Sequence, residues 1–342
     1  MSAPPQAGPS LPAARGAVSA ALLDALRSPA SAPPGARAAA GLDPYGDDLQ
    51  LALYTLYELH YRGFAGVADE REWDPALLAL RRGLEERFEA ALRRDTPRTG
   101  LAEALDGLLV EDSVQSGAEA ESDVSRFLRR RGELWQLREY AAVRSLYHLK
   151  EADPHAWVIP RLRGRAKAAM VAVEYDEFGA GRADRVHAAL FAALMDDLGV
   201  DTAYGRHVDA APAEALATVN LMSLLGLHRA LRGALVGHFA TVEITSSPAS
   251  ERLAHAMRRT GAGPAAEHFY TEHVEADAVH EQVVRREVIG GLLDLEPALA
   301  PEVAFGVHAT VLLDGRLGAR LTDAWRAGRS ALREPSLREH SD

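Results

Sequence analysis

From Ala265 to Ile289 the chain contains neither Pro nor Gly, and its residues follow a helical pattern. That length and pattern predict one long α-helix. At about 100° per residue, His273, Asp277 and His280 fall within a roughly 60° arc of one face. Two imidazoles and a carboxylate are thereby aimed at one place. A solvent-facing helix gains nothing from this, whereas a metal site does. Taken alone the pattern is ambiguous, because acidic helices with scattered His are common. Its weight depends on whether other helices offer partner ligands.

Ala and Leu abound elsewhere, Ile stands only at 159, 244 and 289, and alternating strand patterns are missing. The fold class is therefore all-α. At 342 residues the chain is long enough for one large domain with extensions. It has no Cys, which excludes disulfides, iron–sulfur clusters, thiolate zinc sites and a Cys nucleophile. A Cys-free chain fits a reducing cytoplasm, the expected location. The net charge of -11 and the absence of a basic tail disfavour a nucleic-acid partner. No apolar run approaches a membrane span, and the N-terminus has no secretory pattern. The partner expected is a small-molecule substrate.

Residues 1–45 are rich in Pro, Ala, Gly and Ser and read as a flexible tail, with one short helix over Ala17–Arg27. Residues 46–124 read as accessory helices: one capped by Asp47 or Asp48 and running to about Arg62, one from Asp74-Pro75 to about Arg94, and one over Leu101–Leu109. Glu58 and His60, two apart, face different sides of their helix and are expected to be structural. The core spans 125–330, and 331–342 form a second tail. In the core, a helix from Ser125 ends near Glu151, before Asp153-Pro154. A carboxylate in a last turn opposes the helix dipole, so Glu151 needs a neutralising partner, with Lys150 or a nearby Arg the simplest. A helix opened by Pro160 carries Glu177. Gly179 and Gly181 then interrupt it, which permits the turn that brings Glu177 and His187 inward together. Helices are expected from Ala211-Pro212 to His228 and from Leu231 to Thr245, the latter broken by Ser247-Pro248. Glu243 lies in an apolar run there and requires a partner or a metal. Gly233 and Gly237, four apart, allow another helix to approach. The last helix runs from Pro297 or Pro301 to Trp325.

Glu151, Glu177, Glu243 and Asp277 are four carboxylates, and His187, His273 and His280 are three imidazoles, drawn from several helices. Four carboxylates cancel the charge of two divalent ions. Oxygen and imidazole donors without thiolates favour iron or manganese over structural zinc. A ferritin-like bundle uses two E-x-x-H pairs, which this chain lacks.

The run Glu151…Glu177-x9-His187…Glu243…His273-x3-Asp277-x2-His280 resembles the haem-oxygenase-like diiron oxidases and oxygenases. The stretches Asp176–Gly181 and Asn220–Arg229 are also similar to an actinobacterial branch of iron-containing redox enzymes. The resemblance covers about residues 130–330 and implies a haem-oxygenase-like helical bundle with an N-terminal extension. It further implies two Fe(II) ions, dioxygen as co-substrate and a place in a natural-product pathway. The family's chemistries include N-oxygenation of amines, oxidative C–C cleavage of amino acids and decarboxylation of fatty acids, with a small amine or amino acid favoured here. The source of external electrons stays open. One iron is expected on Glu151, His273 and Asp277 and the other on Glu177, His187 and His280, with Glu243 binding one or bridging. Tyr140, Arg144, Tyr147, His148 and Glu174 are candidates to orient these ligands. Arg144, Arg229 and Arg232 are candidates to clamp a substrate carboxylate. Members are often dimers, and the N-terminal helices offer an interface. The alternatives are a metal-free haem or small-molecule binder of the same fold and a helical interaction protein.

Overall fold

The computed structural model describes residues 8–28, 30–114 and 123–333, with the side chains of 110–114 and 275–279 outside that description. Among the described residues there is no strand, and the all-α class holds. The principal helices are α1 (Ala17–Arg27), α2 (Asp47–Glu58), α3 (Pro75–Asp95), α4 (Leu101–Val114), α5 (Val124–Arg131), α6 (Leu134–His148), α7 (Gly164–Glu177), α8 (His187–Asp197), α9 (Ala213–Leu227), α10 (Arg232–Thr260), α11 (Pro264–Val283) and α12 (Ala300–Arg326). No helix among the described residues is long and apolar enough to cross a membrane.

Local chemistry explains several boundaries. Asp74 caps α3, its carboxylate accepting from the amides of Ala76 (2.8 Å) and Leu77 (3.4 Å), with Pro75 at the first helical position. Asp48 does not cap its own helix, which starts after Gly46. It accepts instead from the amides of Val18 (3.0 Å) and Ser19 (2.7 Å), so α2 caps α1. Residues 8–45, expected as a tail, pack on the bundle. Leu22, Leu23 and Leu26 of α1 are buried, and Arg15 pairs with Asp47 at 2.8 Å while donating to the carbonyls of Val208 and Ala211.

Three other helices differ from expectation. The long helix from Ser125 breaks at Gly132, where a side chain would run into the backbone of Leu128. The α6 start is set by the Glu133 amide donating to Gln136 at 2.8 Å. Pro160 lies in a short 3-10 turn, and α7 begins only at Gly164. Pro248 does not end α10, which continues to Thr260 and stops at left-handed Gly261. A mid-helix proline costs about 3 kcal/mol. The extended packing of α10 along α11 and α12 outweighs it.

That packing is close. A Cβ on Gly237 would overlap the Val303 carbonyl, and one on Gly306 would overlap the Ala234 carbonyl, so α10 and α12 touch backbone to backbone. α10 also lies along α11, which passes through a π-helical turn over Val284–Ile289 into a short helix, Gly290–Leu295. That continuation packs against α7. The helices carrying Glu177, Glu243, His273 and His280 are thus neighbours.

Candidate metal centre

Glu151 sits beyond the end of α6 in a tight turn. The Lys150 amide donates to the Tyr147 carbonyl (2.8 Å), and Ala152 adopts a left-handed φ of 74°. The turn points the Glu151 carboxylate inward, where the side chain is 7% exposed. His148 donates from Nδ1 to Glu151 Oε1 at 2.8 Å, and its Nε2 accepts from Arg144 Nε at 3.4 Å. Burial and the positive charge of Arg144 push the His148 pKa well below its ordinary value. His148 is therefore a neutral imidazole holding Glu151, as the spacing predicts.

Glu177 is the last residue of α7 and His187 the first of α8. Between them Gly179, Ala180 and Gly181 have φ of 73°, 52° and 80°. These left-handed residues reverse the chain, and His187 Nδ1 comes to 2.7 Å from Glu177 Oε2. Gly179 is required twice over, since a Cβ there would also lie 2.7 Å from the Val186 nitrogen.

From α11, His273 donates Nδ1–H to the Phe269 carbonyl (2.7 Å), and its Nε2 lies 4.0 Å from Glu151 Oε1. Its ring stands 4.5 Å, centroid to centroid, from that of His187. About two turns further along the same face, His280 Nδ1 is 3.3 Å from Glu243 Oε2 on α10 and 3.8 Å from Glu177 Oε1. Its Nε2 is 3.3 Å from Asp176 Oδ2. The Asp277 side chain lies outside the described residues.

Six of the expected residues thus converge as two buried triads: Glu151, His187 and His273, and Glu177, Glu243 and His280. Within each, donor atoms lie within 4.8 Å of one another. His187 also keeps its expected neighbour Glu177 at 2.7 Å, and Glu177 lies 3.8 Å from His280. The chain reversal sets the His187 ring beside His273, tilted by 50°, and Glu177 reaches both groups.

The electrostatics fit a cation site. Burial pushes the Glu151 carboxyl up to about 7 and Glu174 up to about 9, each aided by nearby carboxylates. Burial also pushes Glu177 up, but the hydrogen bond and charge of His187 outweigh it and hold Glu177 below its usual value. Burial lowers His280, yet Glu243 and Glu177 carry it to about 9. So much buried acid needs positive charge, as bound protons or as metal ions. Glu151 Oε2, His273 Nε2 and both Glu174 oxygens are buried and make no hydrogen bond. With Nδ1–H fixed on Phe269, His273 presents a bare lone pair into the cluster, the tautomer a metal takes. The donors present fit iron or manganese.

Three expected partners lie elsewhere. Lys150 does not neutralise Glu151, for its ammonium turns away to Glu58 on α2 at 2.8 Å. Arg232 pairs with Glu296, and Arg229 is exposed. Of the three arginines weighed as carboxylate clamps, Arg144 is the one linked to the cluster. Spacing did not single out Asp176 beside His280, because it lies off the Glu177 face of the same helix end.

A family model for iron-containing redox enzymes matches residues 138–315, just over half of the chain. Among curated proteins, the chain is 26% identical over 244 residues to nitrosourea synthase of Streptomyces achromogenes subsp. streptozoticus, a match covering 66% of this chain and 50% of that protein. The chain therefore spans about half the length of this relative.

Proposed function

The chain belongs to the iron-containing redox enzyme family, and from that premise we propose that it is a non-haem diiron enzyme that activates dioxygen to oxidise a small metabolite. An amine or amino acid of a natural-product pathway is the substrate class we favour. The observation that carries the reading is the pair of adjacent His/carboxylate triads with Glu177 reaching into both. Glu151, His187 and His273 would hold one ion, and Glu177, Glu243 and His280 the other, with Asp277 as the seventh donor. Two ferrous ions side by side would supply the electrons that dioxygen takes up. Burial of both triads keeps bulk water from the reaction.

The protein's own groups do the positioning. His148 fixes Glu151 from the α6 side, and Phe269 fixes the His273 tautomer. Arg144, next to His148, offers a guanidinium fork suited to a substrate carboxylate. The name nitrosourea synthase implies a product with an oxidised nitrogen, which favours N-oxygenation over C–C cleavage for a relative of this kind.

Anaerobic Fe(II) titration followed by rapid mixing with dioxygen tests the proposal. Two irons per chain and oxygen uptake linked to iron oxidation are expected. Haem in place of iron, or no iron at all, would defeat it and favour the haem binder or the interaction protein respectively.

A further inference from the structure

Glu58 is the last residue of α2, in a part of the chain outside the family match, yet its carboxylate is fully buried. One oxygen accepts from Lys150 Nζ at 2.8 Å and the other from the Tyr204 hydroxyl at 2.6 Å. The Lys150 side chain is 1% exposed, and its ammonium lies over the rings of Tyr61 at 4.1 Å and Tyr54 at 5.3 Å. Four residues beyond Glu58, Arg62 lies over the Tyr204 ring at 3.9 Å and donates to the Leu149 carbonyl at 2.9 Å. The two residues immediately before Glu151 are therefore both gripped from the N-terminal helices, Leu149 by its carbonyl and Lys150 by its side chain.

The place of that grip matters. Residues 149–152 follow the end of α6 and have no continuous helical ladder to fix them, and Ala152 is left-handed. Beside the His148 hydrogen bond and the turn bonds of Lys150 and Glu151 to the Tyr147 and His148 carbonyls, the anchoring of its neighbours is what fixes the direction of Glu151. A buried Lys–Glu pair is also a poor device for stability alone. Desolvating both ions costs about as much as their attraction returns, and an apolar pair of like volume often does as well. A buried pair does impose one geometry, because either partner left alone in the interior is strongly unfavourable.

We propose that Glu58, acting through Lys150, is a positioning residue for Glu151, so that the N-terminal helices complete the metal centre. This rests on the diiron reading above. Glu58 touches no member of either triad; it acts only through the turn. Loss of its charge should weaken the Glu151, His187 and His273 site and spare the Glu177, Glu243 and His280 site.

The experiment is anaerobic Fe(II) titration of the full chain, resolving two binding phases, alongside urea unfolding of the metal-free protein. E151A and E243A assign the phases to the two triads. In E58Q the phase lost in E151A is expected to weaken about 10-fold or more, the scale seen when an outer partner of a metal ligand is removed, with the other phase unchanged. Y204F, which keeps the Lys150–Glu58 contact, covers the case in which E58Q does not fold, and is expected to weaken the same phase by a smaller factor. Equal weakening of both phases, in step with lost stability, would make Glu58 merely structural and overturn the inference. So would unchanged affinities in E58Q, or in Y204F where E58Q does not fold. Absence of iron binding by the unaltered protein would overturn the diiron reading itself, a result distinct from either.

Discussion

The Nδ1–H of His273 is committed to the carbonyl of Phe269, 2.7 Å away and four residues back on the same helix. The imidazole is thereby held with Nε2 as a lone pair facing Glu151 and beside the His187 ring. Replacing His273 by Ala removes one of three donors from that triad and leaves Glu177, Glu243 and His280 in place. H273A is expected to bind iron at the first site more than about 100-fold more weakly, beyond the loss typical of an outer partner. Iron per chain should fall from two towards one. Iron analysis after anaerobic reconstitution checks this, and a variant still holding two irons removes His273 from the ligand set.

Filling the cluster should also stabilise the fold. A ligand that binds only the folded state contributes about 2.7 kcal/mol when present at 100 times its Kd. Here it also offsets the burial and, after it, the repulsion from nearby carboxylates that raise Glu151 and Glu174. Mn(II), which avoids oxidation during heating, is expected to raise Tm by several degrees over chelator-treated protein. In H273A most of that gain should vanish. Thermal scans of both proteins with and without chelator give the comparison, and equal Tm values for the metal-free and metal-loaded chain would contradict a folded-state metal site.

Gly179 ties backbone to site. At φ 73° any other residue is strained, by about 1–2 kcal/mol. A Cβ would in addition press on the nitrogen of Val186, the residue directly before His187. Gly181, at φ 80°, carries the same strain, but a Cβ there meets nothing nearer than the Tyr175 hydroxyl at 3.7 Å. G181A should therefore lose only the cost of the strain, whereas G179A should lose more stability and, alone of the two, iron affinity at the His187 site. Urea midpoints and iron titrations on the two variants separate strain from displacement.

The pair of glycines made that turn readable in advance, as the 100° step made the His273 and His280 face readable. Both are local rules acting within a few residues. What stayed hidden depends on distance in the chain. Glu58 and Lys150 are 92 residues apart, and nothing in either neighbourhood names the other. The grouping of His187 with His273 follows from how α8 leans on α11, which spacing does not encode. Pro248 misled for the same reason, its local penalty being smaller than the packing of a long helix against two neighbours. Residues 8–45 misled through composition, because a few leucines on one short helix suffice to dock it.

A buried histidine pair away from the triads sets an acid limit on stability. Thr310 Oγ1 donates to the Gly306 carbonyl at 2.8 Å, so it accepts from His238 Nδ1, also at 2.8 Å. His238 Nε2 is then the acceptor for His155 Nε2–H at 3.1 Å, and both rings are neutral. Burial, with Arg144 adding to it, pushes His238 down to about 3, and burial beside His238 pushes His155 well below its usual value. A His with a depressed folded pKa binds fewer protons folded than unfolded. Its contribution is therefore intact above the unfolded pKa of about 6.5 and is lost as pH falls towards the folded one. For His238 the loss by pH 5 is about 2 kcal/mol, from 1.5 units below the unfolded pKa. H238Q cannot titrate, so the drop in unfolding free energy between pH 7.5 and 5 should be about 2 kcal/mol smaller in the variant. Urea unfolding of both metal-free proteins at the two pH values measures that difference, and identical pH slopes would mean that His238 takes up its proton as readily in the fold as in the unfolded chain.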